Sequence, residues 1–189
     1  IVGAGHQAGF QLRAAARVRQ WDRVIAWNLH PEMLTRLGDI ATEIGLPFEA
    51  VGLDRMVEAD AIITITSSPA ASLMTAHVSP GTHLACMGTD TVGKQEVEPA
   101  LLARARLFTD EVAQSVTIGE AQHAVAAGLV KPDQIVTLGA VLAGLAKGRQ
   151  SADEITLFDG TGVALQDLAV ASVALSRAQD RSLGVWVEV

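Results

Sequence analysis

Short apolar runs alternate with longer segments of helical periodicity through the first part of this chain. The segments 6–20, 31–45 and 97–107 carry apolar residues at helical spacing. The runs between them are short and flanked by turn residues, which predicts buried strands at Arg23 to Asn28, Ala61 to Thr66, His83 to Gly88 and Arg106 to Asp110. Strands that alternate with helices pair in parallel, with helices on both faces of the sheet. The pattern therefore predicts an α/β protein with a doubly wound parallel sheet flanked by helices.

The later part of the chain, from about Val112, is predicted to be mainly helical. Segments 117–130, 137–148 and 161–179 have helical patterns, and an apolar run from Glu154 to Asp159 predicts one more strand. No internal repeat and no low-complexity linker separates this part from the first. We therefore expect residues 1–189 to form a single domain.

The acidic composition bears on the class of partner. The chain has 14 Lys and Arg against 21 Asp and Glu, a net charge of −7, and its basic residues are scattered. Such a surface repels a phosphate backbone, so we expect no nucleic acid partner. No apolar run approaches the ~18 residues that span a bilayer. We therefore expect no membrane association and a soluble, cytoplasmic protein.

The single cysteine and the histidines give no sign of a metal centre. Cys86 lies in an apolar run, which favours a small buried strand residue over a reactive thiol. One cysteine also excludes an internal disulfide or a cysteine-based metal cluster. Four histidines lack metal-ligand spacing and are expected to be structural or surface residues: His30, His77, His83 and His123.

A glycine-rich turn opens the chain in the stretch "IVGAGHQAG". Gly3, Gly5 and Ala8 have the G-x-G-x-x-G/A spacing of a dinucleotide-binding turn, directly before a predicted helix. Gly3 allows the tight turn, Gly5 lets the backbone approach a pyrophosphate, and N–H groups at the helix N-terminus hold the phosphates. This predicts a Rossmann-like, NAD(P)-binding domain. Only Ile1 and Val2 precede the turn, so we expect the central strand of the sheet to be shortened.

The residues near this turn leave the choice between NAD and NADP open. The next predicted strand ends at Asn28, where a dinucleotide enzyme usually has Asp or Glu on the adenosine ribose. Asn bonds a hydroxyl without repelling a 2′-phosphate, but the following Leu29 and His30 supply no arginine for that phosphate. This favours NAD slightly. His6, inside the turn, either contacts a phosphate through its ring or contributes only its backbone amide.

An acidic residue follows a buried strand in the stretch "MGTDTVGKQE", residues 87–96. Asp90 lies two residues beyond the predicted strand, and ligands of open α/β sheets bind at the carboxyl ends of the strands. Partial desolvation there would raise the pKa of Asp90 and suit it to exchange a proton with a substrate nitrogen or a water. Alternatively, Asp90 only caps local backbone amides. Gly93 and Lys94 complete the turn, and Lys94 either meets a cofactor phosphate or substrate carboxylate or is solvated.

A second predicted strand end lies in the stretch "FDGTGVALQDLAVA", residues 158–171. Asp159 ends the strand, and Gly160, Thr161 and Gly162 precede a long apolar helix. Two glycines beside a helix N-terminus offer backbone donors and close approach to a planar group such as a nicotinamide amide. The alternative is a plain strand-to-helix turn in which Thr161 is the helix N-cap.

Taken together, these motifs resemble those of the ornithine cyclodeaminase and mu-crystallin family. The similarity is carried by "GAGHQAGFQL", "MGTDTVGKQE", "GAVLAG" and "FDGTGVALQDLA", and it extends over essentially the whole chain. The joint order of the motifs is far more specific than any one of them. Two positions depart from the family pattern. Asn28 stands where NAD-preferring members have Asp, which puts the cofactor choice in doubt, and Val92 replaces a proline common before the Gly-Lys pair, which affects only the stiffness of the turn.

The resemblance implies an NAD(P)-dependent enzyme that acts at the Cα–N bond of an amino acid or imino acid. Such an enzyme is a cyclodeaminase, an imine or ketimine reductase, or an amino-acid dehydrogenase. Asp90 is implied to be the proton donor or acceptor. The residues expected to bind the cofactor are Gly3, Gly5, His6, Gln7, Asn28, Thr66, Met87, Gly88, Thr89, Lys94, Gly160 and Thr161.

Family members also have an N-terminal region that forms the substrate and dimer domain, with a lysine and an arginine for the substrate carboxylate. We therefore expect the chain to be the cofactor domain of a longer, homodimeric enzyme and to be inactive alone. An alternative from another class is a non-catalytic carrier of a nucleotide or small ligand, as mu-crystallin-like members can be. A short-chain alcohol dehydrogenase is disfavoured, because its Tyr-x-x-x-Lys pair needs a tyrosine and the chain has none.

Overall fold

Seven short strands pair in parallel in the computed structural model, which describes residues 1–185 and 187. The strands are β1 (Val24–Ala26), β2 (Phe48–Ala50), β3 (Ala61–Thr64), β4 (His83–Cys86), β5 (Arg106–Thr109), β6 (Val136–Thr137) and β7 (Thr156–Asp159). β1 pairs with β2, and the other five form an array in the order β3-β4-β7-β5-β6. The predicted α/β class with a parallel sheet is confirmed.

Residues 1–3 join the two arrays into one sheet. Val2 forms parallel bridges with both Trp27 and Thr64. Its N–H donates to Ile63 O at 2.8 Å and its carbonyl accepts from Ile65 N–H at 2.9 Å, while on the other side Gly3 N–H donates to Trp27 O at 2.8 Å. The sheet order is thus β2-β1-Val2-β3-β4-β7-β5-β6, with Val2 at the position of a central strand. The expectation of a shortened central strand is confirmed.

The described residues contain seven α-helices, of which six precede β7 and one follows it. They are α1 (Ala8–Val18), α2 (Leu34–Glu43), α3 (Pro99–Leu102), α4 (Val112–Ser115), α5 (Gln122–Ala126), α6 (Leu138–Leu142) and α7 (Ala164–Asp180). Several are shorter than predicted. The segment 97–107 is helical only in α3, because Pro99 starts the helix and Arg106 already belongs to β5. The described chain has no helix long and apolar enough to cross a membrane.

The core lies on both faces of the sheet. Along β1, Val24 and Ala26 pack in one buried cluster with Leu12 of α1 and Leu37 of α2. Ile25, between them, belongs to the second and larger cluster. Successive side chains of a strand point to opposite faces, so the alternation shows that apolar side chains cover both faces. In contrast, α7 has no buried residue along its whole length.

Candidate functional site

Four strand ends lie level at one edge of the sheet. The register pairs Thr64 with Cys86, Cys86 with Asp159, and Asp159 with Thr109. The glycine turn follows Val2 at the same edge, because Val2 runs parallel to its neighbours. Open α/β sheets bind ligands at the carboxyl ends of their strands. The topology therefore gathers the three sequence motifs, residues 3–8, 87–96 and 159–162, at the edge where a cofactor would bind.

The glycine turn has the local geometry of an anion-binding helix start. Gly3 has φ +107°, and a Cβ there would lie 2.5 Å from Ile65 O, so the position excludes a side chain. A Cβ on Gly5 would meet nothing within 4 Å. The backbone N–H groups of Gly5, His6 and Gln7 donate to no described residue. These donors at the start of α1, an 11-residue helix, suit a pyrophosphate.

Asn28 is tied to the glycine turn. Its Oδ1 accepts a hydrogen bond from Ala4 N–H at 3.0 Å, and its Nδ2 donates to His30 O at 2.9 Å. The side chain therefore fixes the turn as well as lying where a ribose is usually bound. His6 and Gln7 are exposed, and the His6 ring lies 5.4 Å from the Phe10 ring between centroids.

Asp90 is exposed rather than desolvated. Its side chain is 61% exposed, and Lys94 Nζ lies 2.7 Å from Asp90 Oδ1. The hydrogen bond from Lys94, with a smaller one from Thr91, lowers the pKa of Asp90 below its ordinary value. The expectation of a raised pKa is therefore wrong: the strand ends before Asp90, and the carboxylate points to solvent beside a cation. Lys94 Nζ also donates a hydrogen bond to Gly88 O at 3.4 Å.

The residues just before Asp90 face the protein interior. Gly88 N–H donates to Glu96, and Thr66 N–H, after β3, donates to the same carboxylate. Thr89 is 1% exposed and its hydroxyl donates to Glu120, so this hydroxyl holds the loop from beneath. Met87 packs against Gly160, where a Cβ would lie 2.7 Å from the Met87 sulfur. The loops that follow β4 and β7 are therefore in direct contact.

Asp110 holds the loop after β7 and is a residue that sequence reasoning missed. Its carboxylate accepts hydrogen bonds from the Thr161 N–H at 3.1 Å, the Thr161 hydroxyl at 2.5 Å and the Gly162 N–H at 2.8 Å. Burial raises its pKa, but these bonds outweigh burial and lower it overall. The alternative that Thr161 is a helix N-cap is wrong, because α7 begins at Ala164 with Val163 as its N-cap.

Three acids are buried beneath this edge: Glu96, Glu120 and Asp159. Burial raises the pKa of all three, to about 7 for Glu120 and about 6 for Asp159. Sequence reasoning quoted Glu96 and Asp159 inside motifs without giving them a role and did not single out Glu120. Asp159, at the end of an apolar strand, was the one signal in the sequence, whereas the polar neighbours of Glu96 and Glu120 gave none.

Cys86, His77 and His83 lie outside this chemistry, whereas His123 Nε2 lies 3.1 Å from Lys94 O. Cys86 is buried in β4, and burial raises the pKa of its thiol well above the ordinary value. The interpretation as a structural strand residue is confirmed. His83 Nδ1 lies 2.8 Å from the Thr156 hydroxyl, and His77 Nδ1 accepts from Met74 N–H. In the described part of the chain, no group of three His, Cys, Asp or Glu residues could hold a metal ion.

Comparison with known proteins identifies relatives of this chain in sequence and in fold. A model of the ornithine cyclodeaminase/mu-crystallin family matches residues 1–182. The iminosuccinate reductase of Paracoccus denitrificans is 60% identical over the whole chain, and its crystal structure in complex with NAD⁺ superposes with a TM-score of 0.96. An archaeal alanine dehydrogenase dimer with bound NAD is 32% identical over 99% of the chain, with a TM-score of 0.94.

The chain matches only part of each relative. It spans 59% of the length of the iminosuccinate reductase sequence and 59% of the solved alanine dehydrogenase chain. The likeness therefore concerns the fold of the matched part of each relative.

Proposed function

We propose, because the chain belongs to the ornithine cyclodeaminase/mu-crystallin family, that the full-length protein is an NAD-dependent oxidoreductase of the Cα–N bond. The reaction that we favour is reduction of an imino acid to an amino acid. The observation that carries the proposal is the 60% identity to an iminosuccinate reductase over a chain in which Asp90 and an open glycine turn lie at the same strand-end edge.

The residues at the strand-end edge fit a dinucleotide. The N–H groups of Gly5, His6 and Gln7 would hold the pyrophosphate, since they have no protein acceptor among the described residues. Asn28 would contact the adenosine ribose. The loops that contain Met87 and Gly160 would line the nicotinamide side. NAD is favoured over NADP, because the structures of the two relatives contain NAD and no arginine directly follows Asn28.

The other predicted contacts belong to the same proposal. Lys94 orients Asp90, while Thr66, Gly88, Thr89 and Thr161 shape the loops through bonds to buried acids and to Asp110. Gly3 permits the turn itself.

Asp90 acts on the substrate nitrogen in this proposal. Its carboxylate is ionised at neutral pH, because the bond from Lys94 lowers its pKa. An ionised carboxylate accepts a hydrogen bond from a protonated imine and stabilises the cation. The bound nicotinamide cofactor supplies a hydride to Cα. The hydride would turn the C=N double bond into a single bond, the nitrogen would keep its proton beside Asp90, and NADH would be oxidised to NAD⁺.

We further propose that the full-length protein is a homodimer that binds a small amino or imino acid, as the archaeal alanine dehydrogenase is described as a dimer. A cytoplasmic location stays a prediction. The expectation that residues 1–189 form only the cofactor domain of a longer enzyme is supported by the 59% span of the relative.

Substitution of Asp90 tests the assignment. In the full-length protein, Asp90→Asn removes the charge that stabilises the protonated imine, and we expect kcat to fall about 100-fold. The Kd of NADH, measured by fluorescence titration, should stay within about threefold, since Asp90 faces the substrate.

Asp133→Asn is the matched control. Asp133 is exposed and precedes β6, at the amino end of the strands, so its substitution should leave kcat unchanged. Turnover by Asp90→Asn close to that of the wild type would contradict the assignment. NADH binding by the wild type with no turnover of any amino, imino or oxo acid would favour the carrier function instead.

A further inference from the structure

Three carboxyl groups lie in the interior without a cation. Glu96, Glu120 and Asp159 are 0%, 1% and 2% exposed. None of them forms an ion pair with a described Lys, Arg or His. Burial of a carboxylate is costly unless hydrogen bonds replace its water. We call these three residues the buried acid chain. Their hydrogen bonds show which loops their burial stabilises.

Glu96 joins the ends of two strands. Its Oε1 accepts from Thr66 N–H at 2.5 Å, and its Oε2 accepts from the Thr64 hydroxyl at 2.7 Å and from Gly88 N–H at 2.9 Å. Thr64 ends β3, and Gly88 follows β4. A single carboxylate therefore fixes the loop after β3 against the loop that leads to Asp90.

The backbone of each acid donates to the next acid. Glu96 N–H donates to Glu120 at 3.0 Å, and Glu120 N–H donates to Asp159 at 2.9 Å. Glu120 also accepts from Val97 N–H at 2.7 Å and from the Thr89 hydroxyl, and Asp159 accepts from the Ser115 hydroxyl at 2.6 Å. The chain of bonds runs from the residues next to Asp90 to the residue next to Gly160.

We propose that Glu96, Glu120 and Asp159 are positioning residues for the reaction, which hold the loop of Asp90 and the loop of Gly160 in fixed relation. This inference rests on the proposed function. Each member is buried and acts through a hydrogen-bonded neighbour: Glu96 through Gly88, Glu120 through Thr89, and Asp159 through the backbone of Glu120. The burial of these carboxyl groups is explained, because one carboxylate can accept several hydrogen bonds at once.

The donors around Glu96 make the sharpest test. Both of its oxygens face backbone N–H groups, from Thr66 and Gly88. In Glu96→Gln, the amide nitrogen must point at one of these N–H groups, so one buried donor loses its acceptor. We expect the loop of Asp90 to shift, although the side chain keeps its shape.

Glu98 provides a matched control in the same segment. Its carboxylate accepts from the Thr75 N–H at 2.8 Å and the Thr75 hydroxyl at 2.7 Å. Both bonds reach Glu98 Oε2, so the amide oxygen of Glu98→Gln can still accept them, and they lead away from the strand-end edge. Glu98→Gln should therefore lower the melting temperature less than Glu96→Gln and leave turnover unchanged.

The experiment compares Glu96→Gln with Glu98→Gln in the full-length protein, well below their melting temperatures. We expect kcat of Glu96→Gln to fall about tenfold or more, because a small misplacement of a reacting group is costly. We expect hydrogen exchange at the Gly88 amide to accelerate about tenfold or more. Unchanged kcat and Gly88 exchange in Glu96→Gln, with or without a drop in its melting temperature, would overturn the proposal.

A second pair covers the case in which Glu96→Gln does not fold. Thr64→Val and Thr75→Val have the same shape as threonine, and each removes one hydroxyl bond to Glu96 or Glu98. Only Thr64→Val should lower kcat, by about threefold or more. Equal kcat values for the two variants would contradict the proposal.

Hydrogen exchange separates this proposal from the proposed function. If the wild type binds NADH but turns over no amino or imino acid, the proposed function fails. Faster Gly88 exchange in Glu96→Gln alone would then still support the buried acid chain, and unchanged exchange would overturn it.

Discussion

The two sides of the strand-end edge are built in opposite ways. On the side of the glycine turn, backbone N–H groups face open space, and one amide side chain, Asn28, fixes the turn. On the side of Asp90, the loop backbone is bonded to buried carboxylates. The first side leaves its donors free for a ligand, whereas the second uses its donors within the protein.

This difference follows from what each side has to bind. A pyrophosphate needs several N–H donors and no competing acid. A reacting carboxylate needs a fixed position, and buried hydrogen bonds supply it. We infer that the glycine turn binds the pyrophosphate and that the bonds on the side of Asp90 position the reacting carboxylate. Substitutions on the two sides should therefore separate binding from turnover.

The largest effect is expected from Gly3→Ala. At φ +107°, with Ile65 O 2.5 Å from the new Cβ, the substitution strains the backbone by about 2 kcal/mol or more. We expect a lower free energy of unfolding and loss of NADH binding.

Gly5→Ala is the partner variant, since its Cβ would meet no atom within 4 Å. Stability should change by about 0.5 kcal/mol or less, while the Kd of NADH rises about tenfold or more because the methyl group occupies the phosphate approach. Urea unfolding and NADH titration measure the two effects. Unchanged NADH affinity in Gly5→Ala would show that the turn does not bind the pyrophosphate.

A middle-sized effect is expected from Asn28→Asp. The new carboxylate can still accept from Ala4 N–H, but it repels a 2′-phosphate. We expect the ratio of kcat/KM for NADPH over NADH to fall by about tenfold, and Asn28→Ala to weaken both cofactors alike. If Asn28→Asp leaves this ratio unchanged, the adenosine ribose lies elsewhere; steady-state kinetics with both cofactors decides.

The smallest effect concerns pH and stability. Burial raises the pKa of Glu120 to about 7 from an ordinary 4.5, so between these values the folded state binds more protons than the unfolded state. Its contribution to stability is complete below pH 4.5 and is lost as pH rises through 7. The melting temperature of the wild type should therefore fall, relative to Glu120→Gln, as pH rises across this range.

Burial lowers the pKa of His83, so His83 makes stability rise with pH, in the direction opposite to Glu120. The test therefore uses the difference in melting temperature between the wild type and each variant. Glu98→Gln is the control, because bonds from Thr75 lower the pKa of Glu98 below 4.5. This substitution should change the pH dependence of the melting temperature only below that pH. A shift of about 2–4 °C for each kcal/mol is expected for a chain of this size. If the melting temperatures of the wild type and Glu120→Gln change with pH in parallel, the raised pKa of Glu120 is contradicted.

The sequence predicted the fold through its most regular elements. The predicted strands Ala61 to Thr66 and His83 to Gly88 contain β3 and β4. They could be predicted because a short apolar run between two helical segments is visible in the local sequence. The strands β2 and β6 were missed. β2 is only three residues long and none of them is fully buried, and β6 has two residues and runs directly into α6.

The site was predicted less completely for a physical reason. The motifs located Asp90 and the glycine turn, because their chemistry is local in sequence. The acceptor role of Glu120 depends on Thr89 and Val97, which lie more than twenty residues away. The exposure of Asp90 and its pairing with Lys94 were also decided by where the strand ends. The contacts of Glu120 are set by packing, and no spacing in the sequence indicates them, whereas Asp90 and Lys94 are only four residues apart.

The central claim, hydride exchange between the nicotinamide and Cα, has one direct measurement. The full-length protein is incubated with NADH deuterated at C4, in both stereochemical forms, and with imino acids generated from oxo acids and ammonia. We expect an amino acid with deuterium at Cα from one of the two forms, with one NADH oxidised for each amino acid formed. NADH oxidation without deuterium at Cα, or NADH binding with no amino acid formed across the series, would contradict it.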